Sequence, residues 1–214
     1  MSYRRTDNIA PILAIIILCF LVYIATLAGR FFDYNLVDIL GLQASTFLHE
    51  PWSFTTNQPW TIVTSIFVHA DIWHILFNMI TLYFFGTFLI RLVGTRDFLI
   101  IYFLGGIVGN IFFMLFALLV GPIFNIDHRF LFYTVVGASG AIFALGGALA
   151  ILTPKLRVFI FPIPVPMPLW VAVLGGFVIL SVMPGIAWQA HLGGLVTGLV
   201  AGLLLRKSIR TPYS

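Results

Sequence analysis

Residues 9–28 run without a single charge, about the 20 residues that an α-helix needs to cross the hydrocarbon core of a bilayer. The rest of the chain repeats the pattern. With 61% hydrophobic and 8% charged residues over 214 positions, against roughly 25% charged in soluble domains, a water-soluble fold would lack the polar surface to cover its core. Lipid is the main solvent. The net charge of +4 is spread in ones and twos at the ends of apolar segments, which is how topology signals are written and not how nucleic acid is bound. Arg4 and Arg5 precede the first run. A signal peptide has an apolar region of only ~7 to 15 residues before an A-x-A site, and none follows here, so an uncleaved anchor is expected. Cys19, the one cysteine, is expected to pack or to face lipid.

Taken in order, the chain reads as six spans. After the first, residues 30–59 mix Asp33, Asp38 and Glu50 with Phe31, Phe32, Tyr34, Trp52 and Phe54. This predicts a long interfacial first loop with short amphipathic helices, residues 36–42 among them. The second span is expected over 72–92, a tight turn at 94–97, and the third span over 98–120 with Gly105, Gly106 and Gly109 beside Asn110. A polar loop at 121–133 leads to a fourth span over 134–152. Pro162, Pro164, Pro166 and Pro168 rule out a regular helix and delay a short fifth span to 169–182. The loop 183–189 precedes a sixth span over 188–205. With the amino terminus inside, Arg4, Arg5, Arg91, Arg96, Lys155, Arg157, Arg206, Lys207 and Arg210 fall on one side, and Arg30 and Arg129 on the other. The expected organisation is an all-α, polytopic, six-helix membrane domain over 9–206, with cytoplasmic tails at 1–8 and 207–214.

In this topology spans two, four and six start on the same side, so polar residues in their first turns share one depth. Ser139 lies in Val-Val-Gly-Ala-Ser-Gly-Ala, His191 in Ala-His-Leu-Gly-Gly, and His74 and Asn78 four apart on one helical face. A serine hydroxyl needs a base before it can attack a carbonyl, and His191 supplies one. His74, Asn78 and the backbone amide of Ser139 are candidate oxyanion donors. Gly194, Gly198 and Gly202 form a small face on span six that matches Gly140, Ala144 and Ala148 on span four, the condition for two backbones to come close. None of the seven acidic residues falls in span four or six, so a Ser/His dyad is expected, with Phe143 stacking on the imidazole. His69 is read as a structural hydrogen bonder.

Small residues and polar groups inside a membrane also serve plain helix packing, and each motif alone is weak. Together they resemble the rhomboid intramembrane serine proteases. The resemblance rests on the six-span order, on His-Ala-x-x-x-His-x-x-x-Asn from His69 to Asn78, on Gly137-Ala138-Ser139-Gly140, and on Ala190-His191 with small residues after it. It implies a cofactor-free endopeptidase of the plasma membrane that cuts membrane-anchored substrates in or beside their transmembrane helix. Ser139 would be the nucleophile, His191 the base, and His74 and Asn78 the oxyanion hole. The chain departs from the family at Thr61, where Arg is frequent, and at Ile90, where Glu is frequent. Its partners would be transmembrane proteins and lipid, with no nucleic acid and no metal. The rival from another class is a non-catalytic scaffold of the same fold that binds transmembrane clients. A transporter would show an internal repeat and mid-membrane charges. A metal site built from His69, His74 and His191 would lack the H-E-x-x-H spacing.

Overall fold

The computed structural model describes residues 8–47, 58–120, 123, 133–160 and 163–206. Both expected tails but for Asn8, together with Glu50, Trp52, Phe54, Arg129 and Pro162, lie outside the described residues. The protein is mostly helical. Six long helices carry the fold: α1 (Ala10–Arg30), α2 (Ile72–Val93), α3 (Thr95–Leu115), α4 (Ser139–Leu152), α5 (Leu169–Ser181) and α6 (Trp188–Leu205). Among the described residues four helices are long and apolar enough to cross a membrane: α1, α2, α6, and α3 together with the π-helical turn Phe116–Val120 that extends it. The apolar α4 and α5, with 14 and 13 residues, are shorter.

Local signals account for the ends. Pro11 sits in the first turn of α1, where its missing N–H costs nothing. Asp71 caps α2 by accepting the His74 N–H at 2.9 Å. Gly94 turns α2 into α3 at φ +90°, a conformation that L side chains rarely adopt. One glycine makes that corner, and α3 begins already at Thr95, inside the turn expected over 94–97.

Two further expectations are corrected. Thr134–Val135 does not begin the fourth helix; it is strand β2, antiparallel to β1 (Leu42–Gln43), so α4 starts at Ser139 itself. Val135 and Val136 are β-branched, and Gly137 at φ +122° breaks any helical run before Ser139. The expected helix at 36–42 is the shorter Leu36–Leu40, because Leu42 joins β1. The proline run forms an antiparallel hairpin of β3 (Arg157–Ile160) and β4 (Ile163–Pro168). Among the described residues the bundle is thus helical with two small strand pairs.

The core is centred on α4, which packs against α6, α3, α2 and α5. Its seam with α6 is parallel and built from small residues. A Cβ on Gly194 would collide with the Gly140 carbonyl, one on Gly198 with the Ala144 carbonyl, and one on Gly202 would lie 2.9 Å from the Ala148 carbonyl. A third backbone joins from α3, where a Cβ on Gly109 would lie 2.5 Å from the Ala190 carbonyl. Cys19 is fully buried, so of its two expected settings it packs.

Candidate active site

The close seam brings the first turns of α4 and α6 level. The Ser139 hydroxyl and His191 Nε2 are 2.7 Å apart, a hydrogen bond in which the hydroxyl donates when the ring holds its proton at Nδ1. His191 is buried and Ser139 half-buried. His191 Nδ1 has no hydrogen-bond partner among the described residues. What holds the ring is Phe143, one helical turn beyond Ser139, whose centroid is 4.8 Å from that of the imidazole at 37°. Phe177 of α5 meets Phe143 edge-on at 6.0 Å.

Because α4 begins at Ser139, the first i→i−4 bond of the helix is made by the Ile142 N–H to the Ala138 carbonyl at 2.9 Å. The amides of Ser139, Gly140 and Ala141 precede it, at the positive end of the helix dipole. This is a ready setting for an anionic oxygen beside the hydroxyl. The sequence pointed to the Ser139 amide but started the helix at 134, which left out the amides of Gly140 and Ala141; the signal was the glycine at 137, which ends the extended segment.

His74 faces the same point. A Cβ on Gly137 would lie 2.7 Å from His74 Nε2 and 3.7 Å from the Ser139 hydroxyl oxygen, so only glycine lets the imidazole reach this close. The Ala70 N–H makes a long 3.5 Å bond to His74 Nδ1, which leaves the ring proton on Nε2, toward the serine. Asn78, also buried, spends one amide hydrogen on the His74 carbonyl at 2.8 Å and keeps the other. His69 is fully buried, with its Nδ1 donating to the Phe67 carbonyl at 3.3 Å and its ring edge-on to His74 at 5.0 Å. Burial, reinforced by the His74 ring, pushes its pKa down to about 3, against the smaller opposing effects of the Phe67 carbonyl and Asp71, so it is neutral at pH 7.

One support escaped the sequence reading. Asn110 on α3 donates to the Ile62 carbonyl at 2.8 Å and to the Ser65 hydroxyl at 2.9 Å, and the Ser65 carbonyl in turn accepts the Gly137 N–H at 2.9 Å. The signal was an asparagine on a glycine-rich apolar helix, a polar group that needs a partner. Gln189, fully buried two residues before His191, keeps both amide atoms without a partner among the described residues.

A dyad beside the first-turn amides of a helix can carry out acyl transfer, and comparison with known proteins gives this chemistry a context. Residues 56–208 match the family model described as the Rhomboid domain. The chain is 31% identical over 159 residues to "Rhomboid protein 1, mitochondrial" of Saccharomyces cerevisiae, covering 70% of this chain and 42% of that protein. It is 31% identical over 147 residues to "Rhomboid protease GluP" of Bacillus subtilis, covering 68% and 26%. It is 34% identical over 121 residues to "Inactive RHOMBOID-like protein 8" of Arabidopsis thaliana, covering 53% and 34%. The chain therefore spans less than half the length of each of these relatives. The mitochondrial name of the yeast protein gives the plasma-membrane expectation no support.

Proposed function

The chain belongs to the rhomboid family, and from that premise we propose that it is an intramembrane serine endopeptidase that cleaves membrane-anchored proteins in or near their transmembrane helix. The observation that carries this reading is the 2.7 Å hydrogen bond between Ser139 and His191 at the start of two parallel helices. In this reading α1 to α6 are six spans of one membrane domain over 9–206, with both tails cytoplasmic, and the dyad lies near the outer face.

A peptide bond inside a helix is shielded, so the substrate helix unwinds locally before Ser139 attacks its carbonyl carbon. His191 takes the serine proton and returns it to the leaving amine. The carbonyl oxygen, now negative, is held by the first-turn amides of α4 with His74 Nε2–H and the free Asn78 N–H. Each such donor is worth roughly 2.7 to 4 kcal/mol in serine hydrolases. Water from the outer end then releases the acyl group, with residues 182–187 as the lid over the dyad and α5 as the side through which substrate enters.

The second reading, a scaffold that binds transmembrane clients without cutting them, is kept in view by the relative named inactive. Labelling of purified protein with a serine-reactive fluorophosphonate separates the two. Wild type labels, and Ser139→Ala and His191→Ala do not; cleavage of a transmembrane substrate by Ser139→Ala falls by roughly 10⁶-fold, to background. Equal labelling of wild type and Ser139→Ala sinks the protease reading.

A further inference from the structure

The β3–β4 hairpin between α4 and α5 takes no part in the reaction above, yet its residues are chosen for one setting. Leu169 N–H donates to the Leu156 carbonyl at 2.9 Å, in register with the Val158↔Met167 pair. Up to the register shift between Val158 and Ile160, Met167 and Leu169 therefore bond to β3, and Pro166 and Pro168 turn their backbone nitrogen away from it. At these two prolines the outer edge of β4 carries no N–H. An edge without donors suits a low-dielectric medium, where each unpaired N–H costs several kcal/mol, and it also refuses a further strand.

The position of the hairpin agrees. At ~1.5 Å per residue, α4 and α5 are each about 20 Å long and fall short of a hydrocarbon core of about 30 Å, so at least one end of each lies inside its boundary. Leu156 and Val158 pack against the main core cluster, so the inner face of the hairpin is joined to the bundle. Outward it exposes Phe159 (72%) and Val165 (61%), flanked by exposed Lys155 and Arg157. Arg96 and Arg206 are exposed at the same end, where Asp97 is the one acidic side chain among the described residues.

We propose that this hairpin is an interfacial anchor for anionic lipid: Phe159 and Val165 enter the acyl region of the leaflet opposite Ser139, and Lys155 and Arg157 hold the lipid phosphates. It makes the first turns of α5, where its buried residues Leu169, Ala172 and Val173 all lie, the fixed end of that helix. The inference requires only that the helices span a bilayer, and it stands whether or not Ser139 reacts.

The test uses the full chain as Cys19→Ala/Val165→Cys, carrying a bimane label, in phosphatidylcholine vesicles with a quarter phosphatidylglycerol. Lipids bearing a doxyl group high on the acyl chain should quench the label more than aqueous iodide does. Doxyl-phosphatidylglycerol should quench more than doxyl-phosphatidylcholine, and this preference should drop roughly fivefold for each of Lys155→Gln and Arg157→Gln. Phe159→Cys is the second label site should Val165→Cys fail to fold. Dominant iodide quenching at the labelled site overturns the proposal, as a face meant for a soluble protein would give; equal quenching by the two doxyl lipids overturns the role of Lys155 and Arg157.

Discussion

α5 and α6 are neighbours of similar composition that are held in opposite ways. The glycines of α6 lie against the backbone of α4 or α3, and nothing larger fits at Gly194 or Gly198. Among the described residues the glycines of α5, Gly175 and Gly176, have no atom of another element within 4 Å of where a Cβ would stand. Burial follows: α6 has buried residues from Gln189 to Gly202, with Val196 and Val200 on its exposed face, whereas α5 has none beyond Val173 and turns Val178 and Ile179 outward. Glycine thus closes an interface only where the facing helix offers small residues at the same spacing. The clamped helix carries His191, which the proposed protease would need at a fixed distance, and the loosely held one carries Phe177 against Phe143, on the side proposed for substrate entry.

The comparison breaks most visibly at Gly198. Gly198→Val should part α4 from α6 and abolish both the folded state, read as loss of a cooperative thermal transition in detergent, and all fluorophosphonate labelling; a folded, labelling protein would show that the seam is not the clamp. Next comes Phe143→Leu, which keeps bulk but removes the ring against His191. Loss of an aromatic contact worth ~0.5 to 1.5 kcal/mol predicts a kcat lower by roughly 2- to 10-fold with KM little changed. The expected Phe143→Tyr result is near wild-type kcat.

His69 extends the rigid side, and its test is pH. Its folded pKa lies below the unfolded value, so the unfolded chain binds the proton first and stability falls as pH drops from about 6.5 toward 3. One such group contributes at most about 1.4 kcal/mol per pH unit. His69→Gln should flatten the unfolding free energy between pH 6.5 and 5 by about that slope; an unchanged slope would mean that His69 is not held neutral. The smallest effect belongs to α5. Gly176→Ala meets nothing, and with a helix propensity gain of at most ~1 kcal/mol it should leave Tm level or slightly raised. A fall of several degrees would mean that α5 is packed as closely as α6.

Much of the site was legible because its groups are costly where they stand. A histidine, an asparagine or a serine in an apolar run calls for a partner, and helix direction, counted from one span to the next, placed Ser139, His191, His74 and Asn78 at one level. The start of α4 was not legible: hydropathy does not distinguish a buried strand from a buried helix, and Thr134 and Val135 pair with Leu42 and Gln43, some 90 residues away. The proline run was known to refuse a helix, but its register against Arg157–Ile160 is a long-range choice.

By itself the sequence determined that this chain lives in lipid, that it is built of helices, and that a serine and a histidine lie on helices able to touch, since apolar length and small-residue spacing are local properties. Only the tertiary structure decided that Ser139 is the first residue of its helix. That follows from the strand pair and from Gly137 at φ +122°, and it sets the serine's own amide, with those of Gly140 and Ala141, in the first turn of the helix.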